Sequence, residues 1–266
     1  MAQDRDRPAL ATVGAPRSPL RARFDAPAAG LSVTLLGGFT VSVGEEVVQL
    51  PTGAQRLVAL LALRGRMSRS RLAGMLWPET TEHRALASLR TGIWRVNQAA
   101  DQLVAIASGT VDLGRGVDVD VRRLLRKAAD DLPERASTLD NVSAVLDDDG
   151  GLLPDWEDEW LLADRERIRQ MRLHLLEAVA QRLSLAGQHG LALEAALAAL
   201  RIDVLRESAH RTVIAIHLAE GNVAEALRAY DQCRLVLVRD VGVEPSPTTS
   251  QMLPRCRGPV TAGQPT

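Results

Sequence analysis

An internal repeat limits what this chain can fold into more than any other feature. Gly187 in "LAGQHGLALEAALAAL" matches Gly221 in "LAEGNVAEALRAYDQC", 34 residues later. Ala192-Leu193 then matches Ala226-Leu227, Ala196 matches Tyr230, and Ala199 matches Cys233. Each copy sets a glycine where one helix must turn into the next, followed by small residues on one helical face. Small residues let paired helices approach closely, and Leu227 and Tyr230 fill the gap between them. Such a unit cannot bury its apolar face alone, so copies must stack. Two copies are too few for a stable stack. Helices expected over 117–146 and beyond Trp156 complete it.

A 34-residue period, with glycine followed five residues later by Ala-Leu, is that of tetratricopeptide repeats. That pattern usually ends a repeat on proline. Here Val204 stands at that point, in "RIDVLRESAHR", so a slightly less rigid turn is expected with no change of fold. On the 117–146 helix, Val121, Leu124, Leu125 and Ala128 share a face. Trp156 and Trp160, four residues apart, are expected to share a helical face and pack in the core. Asp155, Glu157, Asp158 and Glu159 suit a solvated helix start or a partner surface. Asp147-Asp148-Asp149 lacks the alternating oxygen ligands and distal Glu of a calcium loop. An acidic turn is expected there, and no metal.

The front of the chain reads differently. Val33 and Leu35, then Phe39, Val41 and Val43, alternate with polar neighbours around Gly37-Gly38, and Gly44 turns the chain into Val47–Leu50. This predicts a small antiparallel sheet. After Pro51, Leu57, Leu60 and Leu61 form a helical stripe that Gly65 ends. Ser68 suits the N-cap of a short second helix carrying Leu72, Met75 and Leu76 inward, stopped by Pro78. Thr80 or Thr81 caps a third helix, with Glu82 in its first turn. Ala85 or Leu86, Leu89, Ile93 and Val96 make its buried face. Arg84, Ser88, Thr91, Arg95 and Gln98 fall at the same spacing on another face, with Arg90 beside it. An α-helix fits the major groove, and Arg can donate two hydrogen bonds to guanine. The remaining polar groups suit phosphates, as does His83 at the helix start. A helix with a merely solvated face has the same pattern, so the pattern alone leaves both readings open. Leu103–Ala107 and Thr110–Leu113 follow as a hairpin around Ser108-Gly109, in the place of a wing, but its tip carries no basic residue.

Charge agrees with this division. Residues 31–100 hold eight Arg and four Glu, a net of +4, and residues 101–266 carry −7. A basic front suits an anionic partner. Aromatic residues are 3% of the chain, so its cores must be aliphatic. Cys233 and Cys256 lack metal-ligand spacing and read as free thiols of a reducing cytoplasm. No apolar run is long enough for a membrane span, and the first thirty residues lack the apolar stretch of a secretory signal. A cytoplasmic location and no membrane partner are therefore expected. Residues 1–30 and 254–266 read as a disordered arm and tail. His83, His174, His189, His210 and His217 join no Cys, Asp or Glu at ligand spacing, and no glycine-rich phosphate loop occurs. No enzyme, catalytic residue, cofactor or metal is expected.

Strands, three helices with a sharp middle turn and a hairpin resemble the OmpR-type winged helix-turn-helix. "LLGGFTVSVGEEVVQLPTGAQRLVALLAL", "LAGMLWPE" and "ASLRTGIWRV" resemble the Streptomyces antibiotic regulatory protein family. "GLLPDWEDEWLLADRERIR" and "DVGVEPSP" resemble the bacterial transcriptional activator domain that follows the winged helix in that family. The resemblance implies a mainly α fold: a winged helix-turn-helix domain over 31–113 with small antiparallel sheets, then an all-α tetratricopeptide-like domain over 114–253. It makes the helix from Glu82 to Ala99 the recognition helix. Asn97 departs from the family's usual Arg, which implies one phosphate contact fewer. The resemblance further implies an activator that binds direct repeats in double-stranded promoter DNA of a secondary-metabolite gene cluster. It would work as a homodimer or tandem assembly and touch RNA polymerase. The other reading of the residues is a tetratricopeptide adaptor whose winged domain is structural and touches only protein.

Overall fold

The computed structural model describes residues 30–129 and 150–253. The expected arm (Gly30 aside), the tail with Cys256, the acidic Asp147-Asp148-Asp149 turn and the 130–146 part of the expected helix lie outside the described residues. Packing divides the chain into two compact units: one holds Ser42–Val117, the other Ser32–Val41 with Asp118 onward.

In the first unit, α1 (Thr52–Arg64) follows Pro51 and buries Leu57 to Ala62 completely. Each fully buried leucine there contributes roughly 1.5–3 kcal/mol. Gly65, at φ 70°, ends the helix and donates its N–H to the Leu61 carbonyl at 2.8 Å. Ser68 caps α2 (Arg69–Leu76) as expected, its hydroxyl accepting from the Arg71 N–H at 3.3 Å. The chain then turns at Trp77, and the Thr80 hydroxyl donates to the Trp77 carbonyl at 3.1 Å. That bond closes the turn into α3 (Glu82–Ala99). The expected hairpin is present as β5 (Val104–Ala107) and β6 (Thr110–Leu113), in register from Val104 against Leu113 to Ala107 against Thr110. Ser108 and Gly109 both take positive φ, 49° and 79°, as the favoured two-residue hairpin turn requires. A third strand, β4 (Met67–Ser68), pairs antiparallel with β6. It was not expected, because two residues carry no visible alternation.

The other sheet has the order β3 (Glu46–Val48), β2 (Thr40–Val43), β1 (Leu31–Thr34), β7 (Asp118–Val119). Its β1–β7 pair is parallel, Ser32 opposite Asp118 and Val33 opposite Val119, where only antiparallel pairing was expected. The expected front domain over 31–113 includes this whole segment, yet Ser32–Val41 packs with the second unit. The cause is a set of pairings between residues far apart in sequence. The Asp120 carboxylate accepts from the N–H groups of Leu35 and Leu36 at 2.8 and 2.9 Å. Burial pushes the pKa of Asp120 up, against the pull of these bonds. Gly37 donates to the Gly151 carbonyl at 3.0 Å, and a side chain at Gly150 would stand 2.1 Å from the Gly37 Cα, so only glycine fits there. Phe39 stacks on Trp156 with ring centroids 5.7 Å apart. Trp156 therefore lies outside any helix, and Trp160 sits in a 3-10 turn at Glu159–Leu161. The two do not share a helical face as expected.

Behind them stand α4 (Asp120–Ala129), α5 (Leu162–Leu185), α6 (His189–Ile202), α7 (Glu207–Ala219), α8 (Val223–Val241) and a short α9 (Pro247–Ser250). The 34-residue repeat is a repeat of hydrogen bonds. Gly187 and Gly221 take φ 74° and 77°. Gln188 N–H bonds Leu183 O at 2.8 Å, and Asn222 N–H bonds His217 O at 2.8 Å. Ala192, Ala199, Ala226 and Cys233 are all fully buried. Burial pushes the Cys233 thiol up to about 11, so it stays protonated. The turn with Val204 is held despite the missing proline: Asp203 accepts from the Leu205 N–H at 3.1 Å, and the His210 ring bonds the Val204 carbonyl at 2.9 Å.

Candidate nucleic-acid interface

The α3 helix is amphipathic because its sequence alternates two stripes. Ala85, Leu89, Ile93 and Val96 are buried, where they anchor the helix against α1 and α2. Arg84, Ser88, Arg90, Thr91, Arg95 and Gln98 are all exposed. Among the described residues, none of Arg84, Arg90 and Arg95 has a carboxylate within ion-pair distance. Each guanidinium therefore keeps its full charge and five N–H donors for an external acceptor.

The structure brings part of this set together. Ser88, Thr91 and Arg95 line a shallow cavity of about 410 Å³ with Pro51, Gly53 and Trp77. Arg84, Arg90 and Gln98 do not border it. The Thr91 hydroxyl is already turned inward, donating to the Ala87 carbonyl at 3.2 Å. It keeps its lone pairs for an incoming donor.

Two features of the face escaped the sequence reading. Asn97 is half-buried, and its carboxamide donates to the Val104 carbonyl at 2.8 Å while accepting from the Val104 N–H at 2.9 Å. It braces α3 against strand β5, so the residue read as a lost phosphate contact has a structural task. Trp94 is 62% exposed. Its spacing is the signal that marks it, three residues after Thr91 and four before Gln98. At the wing, the tip is neutral and Arg66 lies 3.7 Å from Asp112.

The second unit offers different chemistry. Several of its arginines are bound to carboxylates and carbonyls. Arg206 binds Glu177 through two bonds, at 2.7 and 3.2 Å, and Arg169 bonds Glu166 and Asp203. Arg165 donates to the carbonyls of Leu152, Leu153 and Trp156. No group of three or more His, Cys, Asp or Glu among the described residues is placed to hold a metal ion. No helix among them is long and apolar enough to cross a membrane.

Residues 111–255 match the family described as bacterial transcriptional activator domain. The chain is 28% identical to Regulatory protein AfsR of Streptomyces griseus, over 95% of its own length and 27% of the relative's. It is also 28% identical to Regulatory protein AfsR of Streptomyces coelicolor, over 91% of its length and 26% of the relative's. The chain thus spans about a quarter of the curated relatives it matches. Its fold is similar to that of EmbR from Mycobacterium tuberculosis, solved in complex with a low-affinity phosphopeptide. The TM-score is 0.67 at 20% identity, over 84% of this chain and 64% of that one. With its second unit matched almost throughout, the chain belongs to the bacterial transcriptional activator domain family, as its resemblance to the Streptomyces antibiotic regulatory proteins implied.

Proposed function

We propose that this chain is a sequence-specific DNA-binding transcriptional regulator that reads double-stranded promoter DNA with α3. The observation that carries the reading is the set of three exposed arginines without carboxylate partners on a helix anchored by its opposite face. Arg90 and Arg95 donate to guanine edges or phosphates, Arg84 to the backbone near the helix start, and Ser88, Thr91 and Gln98 supply weaker polar contacts. The repeat unit dimerises or orders adjacent copies on direct repeats and touches RNA polymerase. The target is a secondary-metabolite gene cluster, and the output is activation. Family membership and the order of the two units support this part of the reading.

The test is a gel-shift titration with DNA fragments selected from the genome by the full chain. Arg90→Ala and Arg95→Ala should each weaken specific binding by about 1–3 kcal/mol, and wild-type affinity should fall steeply with salt. The spacing of the selected motifs reports whether copies line up on direct repeats. Unchanged affinity in both variants would remove α3 as the reader. Absent or salt-insensitive DNA binding would favour the adaptor reading, in which the winged domain touches only protein.

A further inference from the structure

Trp94 stands out from the chain's other tryptophans. Trp77, Trp156 and Trp160 are half-buried, whereas Trp94 is exposed, at 62%. It does not lie at the edge of the buried stripe. Successive helical residues rotate by about 100°, which sets Trp94 between Arg90, one turn earlier, and Gln98, one turn later. Thr91 is its neighbour at three residues. The indole therefore sits inside the polar face, as an apolar island flanked by groups that hydrogen-bond.

A single exposed apolar side chain is ordinary, but an indole in the middle of a face of hydrogen-bonding groups joins a broad apolar body to one N–H donor, the chemistry enriched at interfaces. Its partner on DNA is narrowly defined. On the major-groove edges of the four base pairs, the C5-methyl of thymine is the apolar group; the rest are donors and acceptors. An indole between Arg and Gln suits a thymine beside a base that offers hydrogen bonds. We propose that Trp94 is a specificity-determining residue that packs on a thymine methyl, next to the bases contacted by Arg90 and Gln98. The proposal rests on the reading of α3 as the DNA helix.

The experiment removes the methyl without touching a hydrogen bond. Each thymine of a selected fragment is replaced in turn by uracil, and affinity is measured for wild type, Trp94→Ala and Trp94→Phe. Wild type should lose about tenfold at one or two thymine positions. Trp94→Ala should lose about as much on unmodified DNA and be indifferent to uracil at those positions; Trp94→Phe should fall between. Circular dichroism of each variant checks that the exposed site leaves the fold intact. Trp94→Ala binding as wild type overturns the proposal, as does an unchanged uracil response in that variant; the second result would leave Trp94 in contact with something other than a methyl, such as a neighbouring protein. Both results leave salt-sensitive DNA binding by wild type in place. Absence of that binding would overturn the reading of α3 and this proposal together.

Discussion

Arg206 in the second unit and Arg95 in the first have the same side chain and opposite surroundings. Arg206 is 16% exposed and makes two bonds to Glu177, with Gln170 accepting a third at 3.2 Å. Ser208 donates to the same Glu177 at 2.6 Å. Burial raises the pKa of Glu177, but these donors outweigh it and hold the carboxyl below the usual range. Arg95, with Arg84 and Arg90, lies exposed, and among the described residues no carboxylate is within ion-pair distance of them. Other arginines of the second unit are paired as well. Arg211 pairs with Glu207, Arg228 with Glu225, Arg234 with Glu244 and Arg239 with Asp240. A paired arginine has its charge offset and offers less to an outside anion; where the pair joins two elements, as Arg206 with Glu177 does, it also fixes them to one another. Unpaired arginine contributes little to the fold and keeps its charge for a partner.

Unpairing an arginine where the pair is structural has the largest expected effect. Glu177→Ala leaves the nearly buried guanidinium of Arg206 without its carboxylate. It should cost about 3–5 kcal/mol in urea unfolding. A loss below about 1 kcal/mol, the range of surface pairs, would show that water replaces the carboxylate easily.

The converse is to pair an arginine where freedom matters. Thr91→Glu puts a carboxylate one turn before Arg95, the favoured order for an ion pair on a helix. DNA affinity should drop by about 1–3 kcal/mol, while stability stays within about 0.5 kcal/mol. Gel shifts and urea curves on one preparation separate the two effects. Equal losses in both would mean that α3 is as structural as the second unit's helices.

A smaller effect tests the repeat. Gly221→Ala forces a side chain into φ 77° and should cost about 1–2 kcal/mol. Gly187→Ala should match it within about 0.5 kcal/mol. Unequal costs would show that the two turns share hydrogen bonds but not strain.

The smallest effect is one of pH. Burial lowers the pKa of His210, against the opposing bond to the Val204 carbonyl and the charge of Glu207. The folded protein thus binds this proton less readily than the unfolded chain does. Stability should fall as pH drops below the ordinary histidine value of 6.5 towards the folded one. The depressed carboxyls of Glu177 and Glu207 add losses of the same sign below their ordinary 4.5. Unfolding curves of wild type and His210→Phe should converge at pH 5 relative to pH 8. A constant gap would place the histidine proton elsewhere.

Much of the molecule was legible in the sequence. The limits of α1, the Ser68 cap, the α3 stripes and the β5–β6 hairpin all follow from local spacing and turn chemistry, which act within a few residues. The exposed set Arg84, Ser88, Arg90, Thr91, Arg95 and Gln98 followed from the same periodicity. Trp94 lies outside that polar set, although its spacing puts it on the same exposed side. Asn97 was missed because its partner, Val104, belongs to another element. The helical face shared by Trp156 and Trp160 failed because Phe39, far away in sequence, draws Trp156 into a stack.

Local periods of a few residues were enough to place α1, α2, α3 and the helices of the repeat, the turns between them, and the basic face of α3. The sequence by itself also determined the two-copy repeat, down to the glycines with positive φ. The tertiary structure alone decided that β1 runs parallel to β7 and that Ser32–Val41 packs with the second unit. It alone decided that Arg206 finds Glu177 and Arg169 finds Asp203. These depend on pairings between residues tens of positions apart, for which one sequence carries no local signal. The α3 arginines show both: their spacing, and the lack of an acidic residue from 83 to 99, are written in the chain, while the fold decides that, among the described residues, none from another element comes within ion-pair distance of them.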